Sequence, residues 1–194
     1  MFSFSFESAA PAFPVSLSAG IALCSAIKKM SAKAPAGLWL KWPNDVFYAR
    51  RKLAGILVEA SAFADHMRFV VGIGVNLRPL GGAGIVSAGL EEITATASPA
   101  EILGAFCQEW DRLFSLAADD LAALWAGYAA EFWNADFLLT GPDGYECRVR
   151  PLGIDASGAL SVVEKNGTRR RVVSGSLKPL FDGLFDGNAD LVGE

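Results

Sequence analysis

Lys41-Trp42-Pro43-Asn44-Asp45, then Lys52-Leu53-Ala54-Gly55-Ile56-Leu57-Val58-Glu59, then Gly72-Ile73-Gly74-Val75-Asn76-Leu77, decide how this 194-residue chain is read. Pro43 disfavours a helical Trp42 and cannot donate to a strand ladder, so a short strand from Gly37 should end there. Asn44 and Asp45 are then expected as turn residues, exposed at a strand end. Tyr48 to Arg51 should make a hairpin turn, with Lys52 to Ala60 returning as a strand. Met67 to Leu77 should pair with it next, across a turn around Asp65-His66. Polar groups thus fall at the edges of apolar strands, which suits a ligand site better than a core.

Working outward, Phe2, Phe4 and Phe6 alternate with Ser3, Ser5 and Glu7, a period of two that predicts a strand. It is expected either as an edge strand or as a sign that the sequence begins inside a domain. Val15 to Met30 is small and apolar and ends near Lys28-Lys29, which predicts a helix buried against a sheet. Ser98-Pro99-Ala100-Glu101 is a capping box opening a helix to about Ala117. Asp119 or Asp120 should cap a further helix to about Phe132. Gly81-Gly82-Ala83-Gly84 is a loop that could order over a ligand or simply lie on the surface.

From Phe137 the composition changes to short alternating segments: Glu146 to Arg150, Leu160 to Val163, and Arg170 to Val173 after an Asn166-Gly167 turn. Close spacing of short strands predicts a small β-barrel. Arg148, Arg150, Arg169, Arg170 and Arg171 form a basic stretch, read as a solvated face or as a contact for an acidic partner. The tail after Lys178 should be loosely ordered.

Composition narrows the function classes. The chain is 52% hydrophobic and 20% charged, enough for a sizeable core. A net charge of −4 argues against a general nucleic-acid surface, and no helix-turn-helix is visible, so no DNA partner is expected. Cys24, Cys107 and Cys147 are odd in number and widely spaced, which fits reduced cytoplasmic thiols. His66 is the single histidine, so a multi-histidine metal site is impossible. No run is long and apolar enough to suggest a membrane span, and the first residues lack a signal peptide's basic region.

The runs K-W-P-N-D at 41–45, K-L-A-G-I-L-V-E at 52–59 and G-I-G-V-N-L at 72–77 occur in the order found in biotin protein ligases, and the chain resembles that family. The resemblance implies an α/β (α+β) fold: a class II synthetase-like mixed sheet with packed helices over residues 1–136, and a small SH3-like β-barrel over 137–180, followed by a tail at 181–194. It implies ATP, biotin and Mg²⁺ as ligands, with biotin's carboxylate attacking the α-phosphate to give biotinyl-AMP. The biotinyl group then passes to a lysine of a biotin carrier domain of a carboxylase. Lys52 is implied as the catalytic lysine bridging carboxylate and α-phosphate. Gly55, Leu57, Gly72 and Gly74 are implied as the biotin bed, where a missing side chain lets a ring approach backbone. Lys41, Asn44, Asp45 and Asn76 are implied at the nucleotide, with Asn44 and Asp45 as oxygen donors to Mg²⁺. Glu59 reads as a structural partner of a nearby cation. Trp42 reads as packing.

The family's basic glycine-rich loop, its Ser-Thr pair and a biotin-binding Gln precede the region that Phe2 to Phe6 matches. The expectations are therefore a gene start further upstream, a fragment, or a reduced relative that no longer ligates. Two other functions stay open: a non-catalytic binder of biotin or nucleotide, and a relative handling lipoate or octanoate. A shortened sheet edge makes a homodimer plausible.

Overall fold

The computed structural model describes residues 1–9, 11–31, 35–82, 85–94 and 98–180. Half of the predicted glycine loop (Ala83 and Gly84) and the predicted tail from residue 181 lie outside these. The chain runs through β1 (Phe2–Ser8), α1 (Val15–Met30), β2 (Leu38–Lys41), β3 (Asp45–Tyr48), β4 (Arg51–Ala62) and β5 (Met67–Val75). These strands form one sheet in the order β1-β5-β4-β3-β2. Every pairing in it is antiparallel, which corrects the expected mixed sheet. The reason is local: β2, β3, β4 and β5 follow one another through short turns, and a short turn can only reverse the chain.

The turn between β3 and β4 is two residues, Ala49 and Arg50, with φ of 46° and 63°. Both lie in the left-handed region that a two-residue hairpin needs to match strand twist. Just beyond it the register slips. Val46 faces Ala54 and Phe47 faces Lys52, so Leu53 is an extra residue in β4. Leu53, Ala54 and Ile56 are all buried, whereas Lys52 and Leu57 are exposed. In unbroken alternation Lys52 would share a face with Ile56; the bulge turns it to the face of Gly55 and Leu57.

One face of the sheet is packed. α1 crosses it closely because Gly20 has no side chain: a β-carbon there would meet Leu40 Cδ2 at 3.0 Å. After β6 (Gly81–Gly82), β7 (Ile85–Val86) and a 3-10 turn (Leu90–Glu92) come α2 (Pro99–Leu113), α3 (Ala118–Tyr128) and α4 (Ala130–Trp133). α2 opens on the predicted capping box, with Ser98 Oγ accepting from Glu101 N at 3.3 Å and Glu101 Oε2 accepting from Ser98 N at 2.8 Å. It ends at Leu113, short of the expected Ala117. Its Phe106 and Trp110 pack on the β1 phenylalanines, with Phe2–Phe106 at 5.3 Å, Phe4–Trp110 at 5.1 Å and Phe6–Trp110 at 5.5 Å between ring centroids. Such pairs contribute roughly 0.5–1.5 kcal/mol each beyond area burial, so β1 is well held on this side although it is an edge strand. Asp119 and Asp120 do not cap α3. They sit in its first turn behind Ala117, where their charge still complements the helix N-terminus.

The last segment forms a second antiparallel sheet from β8 (Phe137–Thr140), β9 (Glu146–Ile154), β10 (Leu160–Glu164), β11 (Arg169–Val172) and β12 (Ser176–Pro179), in the order β11-β10-β9-β8-β12. Among the described residues its end strands β11 and β12 are not paired with each other. Of the five arginines read as one basic stretch, three are matched by acids: Arg150 with Asp136 at 2.8 Å, Arg171 with Asp155 at 2.8 Å, and Arg170 with Glu164. Among the described residues no helix is long and apolar enough to cross a membrane.

Candidate active site

The sheet's other face is bare around β4 and β5. Gly55 pairs with Gly74 and Leu57 with Gly72 across the two strands. A β-carbon at Gly72 would meet only Leu57 O, and one at Gly74 only Gly55 O, each at 3.9 Å. Leu57 stands 65% exposed beside them. The result is a strip of open backbone beside the exposed Leu57 and Val70 side chains.

Lys52 lies at the head of that strip. A β-carbon at Gly55 would come within 3.2 Å of Lys52 Nζ, so the lysine folds over the glycine. Its ammonium is 2.5 Å from Asp45 Oδ1 and its side chain is 51% exposed. Asp45 Oδ2 is 2.6 Å from Lys41 Nζ, and the Lys41 side chain is only 8% exposed. Asp45 is itself buried, in β3 opposite Gly55, which corrects its expected place in an exposed turn. The pairing explains it: a carboxylate between two ammoniums can be buried, whereas a lone one would stay in water.

Burial alone would raise the Asp45 carboxyl, but Lys41 and Lys52 outweigh it and hold it below the usual carboxylate range. Burial pushes Lys41 below the usual lysine range, against the pull of Asp45. Two cations share one anion, so the cluster keeps one positive charge in excess, and the half-exposed Lys52 carries it to the surface. Unit charges about 4 Å apart attract by about 4 kcal/mol at an effective dielectric constant of about 20. The cluster can therefore hold an anion at the Gly55–Gly74 strip.

Neighbouring groups fix its frame. Asn44 donates from Nδ2 to Ile56 O at 2.8 Å, and Ile56 N donates to Asn44 O at 2.9 Å. Asn76 donates from Nδ2 to Lys52 O at 3.2 Å, and Ala88 N donates to the same carbonyl at 2.9 Å. Both asparagines thus tie β4 to its surroundings. Ser87, buried and bridged to Lys52 in parallel register, was not singled out by the sequence, because its stretch carries no pattern. The Glu92 carboxylate anchors the same region, pairing with Arg51 and accepting from Gly89 N at 2.7 Å. Glu59, expected beside a cation, is exposed and forms no ion pair among the described residues.

The arrangement does not fit metal ligation by Asp45. Each of its oxygens already faces an ammonium, and a divalent cation there would meet two positive charges. Among the described residues no three His, Cys, Asp or Glu side chains gather in a way that could hold a metal.

Residues 1–76 match the sequence profile of the Biotin/lipoate A/B protein ligase family. The bifunctional ligase/repressor BirA of Escherichia coli (strain K12) is 39% identical over 69 residues, 35% of this chain and 21% of that protein. The biotin–[acetyl-CoA-carboxylase] ligase of Mycobacterium tuberculosis is 44% identical over 64 residues, 32% of this chain and 22% of that one. The matched segment spans about a fifth of the length of these curated relatives. In fold, the chain is similar to the biotin protein ligase of Aquifex aeolicus in complex with biotin and ATP. The TM-score is 0.67 at 20% identity, covering 91% of this chain and 77% of that one. The local sequence matches and the fold point the same way: the chain is similar to biotin protein ligases in sequence over residues 1–76 and in fold over 91% of its length.

Proposed function

We propose that this site serves ATP-dependent biotin–protein ligation. The carboxylate oxygen of biotin attacks the α-phosphorus of ATP, the bond to pyrophosphate breaks, and biotinyl-AMP forms. A lysine amine of a biotin carrier domain then attacks the acyl carbon; AMP leaves and the amine gives up a proton. One observation carries the reading: the half-exposed Lys52 ammonium lies over the bare Gly55–Gly74 pair. The bicyclic ring lies along the open strip beside Leu57, and Lys52 meets both the carboxylate and the α-phosphate. Both reactants are anions, so a cation placed where their charges converge lowers the barrier.

Lys41 acts from behind. Its burial keeps it from reaching a triphosphate; it keeps Asp45 ionised, and Asp45 in turn holds Lys52 in place. Asn44 and Asn76 hold the β4 frame through Ile56 and Lys52. The chemistry uses no strong base in its first step, since the acid is already ionised, in keeping with an exposed Glu59 that forms no ion pair among the described residues. The three free thiols suit a reducing, cytoplasmic setting.

The test incubates the chain with biotin, a carrier domain and ATP as its magnesium salt, and follows pyrophosphate release. Lys52→Ala is expected to lower adenylate formation by roughly 10²–10³-fold with folding intact, the scale of one transition-state charge contact. An unchanged rate in Lys52→Ala overturns its role. Heat stabilisation by biotin without pyrophosphate release points to a binder instead, and stabilisation by lipoate alone to a lipoate relative.

A further inference from the structure

The second sheet reaches the candidate site at the turn between β9 and β10. Trp42, between Lys41 and Pro43, is 2% exposed, and its indole Nε1 donates to Gly158 O at 3.0 Å. Gly158 closes the turn between β9 and β10 with φ of +77°, in the left-handed region. A β-carbon there would strike the Pro14 ring and Leu17 Cδ1 at the start of α1. The turn is stiff for a further reason. Asp155 Oδ1 accepts from Ser157 N at 2.8 Å, Ser157 Oγ at 2.6 Å and Ala159 N at 3.1 Å, while its Oδ2 pairs with Arg171. Gly158 N donates to Asp155 O at 2.8 Å. These bonds hold the Asp155 carboxyl well below the ordinary range, the Ser157 hydroxyl foremost.

The segment that Trp42 anchors joins β2 to β3, and Lys41 and Asp45 are the residues on either side of it. On its far side Asn44 is bonded twice to Ile56 of β4. The loop is therefore held at two points: β4 fixes one end and the second sheet the other.

We propose that the Asp155–Ala159 turn is a positioning brace for the Lys41–Asp45 segment, so that the second sheet sets the geometry of the ammonium–carboxylate cluster through Trp42 and Gly158. The inference rests on the proposed ligation site for its consequence in activity, but not for its structural content. Asp155 and Trp42 touch no reactant in this scheme. They act through the loop.

Two readouts separate the brace from the ligase reading. The first is amide exchange of the chain without ligands. In Trp42→Phe, which keeps a ring but loses the donor, and in Asp155→Ala, exchange of the Ile56 amide should quicken about tenfold or more, as expected when a local restraint is lost, while β1 and β5 amides at the sheet's other edge hold their rates. Asp155→Asn keeps the acceptor oxygen and should largely restore protection. The second is kinetics: both loosened variants should lose kcat, with the dissociation constant for biotin unchanged. Unaltered exchange at Ile56 in both loosened variants overturns the brace. Faster exchange in a chain that releases no pyrophosphate under any condition keeps the brace and removes the ligase reading.

Discussion

The two sheets treat their cations differently. In the first, one buried carboxylate, Asp45, serves two ammoniums, Lys41 and Lys52. In the second, Arg150, Arg170 and Arg171 each have an acid of their own, in Asp136, Glu164 and Asp155. One-to-one pairs close the local charge and ask for nothing further. Two against one leaves a charge to be matched, and Lys52 presents it beside Gly72 and Gly74, where a β-carbon would meet only backbone. The contrast teaches that a surplus at a buried cluster beside open backbone, rather than the number of cations, marks the candidate site; the buried Glu109 of α2 also serves two cations, Lys29 and Arg112, but without such a strip. By count alone the five arginines of the second sheet would have been the stronger claim.

The largest effect should come from breaking the unequal cluster. Asp45→Ala leaves Lys41 buried without its partner, and uncompensated buried charges cost about 3–5 kcal/mol. Urea unfolding should show that loss. Replacing Lys41 and Asp45 together by Met and Leu should recover most of it, because a matched apolar pair leaves no stranded charge.

Next comes Gly74→Val, which sharpens the comparison by leaving charge alone. Its side chain would meet almost nothing in the fold, and a β-branched residue suits a strand, so stability should change by less than about 1 kcal/mol. It would fill the open strip, and biotin affinity measured by calorimetry should fall about tenfold or more, about 1.4 kcal/mol. Unchanged affinity would mean that the strip is not the ring's bed.

Acid titration gives a smaller signal. Asp155, held by the Ser157 hydroxyl, Arg171 and turn amides, sits at about 2 in the fold, against about 4 for an ordinary aspartate. A carboxyl lowered on folding contributes stability that is complete above its unfolded value and lost as pH falls through its folded one. Wild type should therefore lose stability between about pH 4 and about pH 2 more steeply than Asp155→Asn, by chemical denaturation at each pH. The smallest effect belongs to Arg150→Ala. Its pair with Asp136 is exposed on both sides, so at most about 1 kcal/mol should be lost, and less at high salt.

Much of this was legible beforehand. Phe2, Phe4 and Phe6 announced a strand by alternation, Ser98 and Glu101 announced a helix start, and small residues from Val15 to Met30 announced a helix that lies close to a sheet. These signals are local, set by side chains a few positions apart. The antiparallel order was in principle readable too, from turns too short for a crossover. What could not be read was burial. Asp45 looks like a turn residue until the fold sets Lys41 and Lys52 on its two oxygens, and Ser87 carries no pattern at all.

By itself the sequence determined which residue types stand at which strand ends, and so which chemistry was available: Lys41 and Lys52, the Asp45 carboxylate, three glycines and two amides within 36 positions, from Lys41 to Asn76. Tertiary structure decided which way they face. The extra Leu53 in β4 turns Lys52 from the helix side to the open side, and a bulge depends on how two strands come into register, a property of the pair that neither strand's own pattern contains.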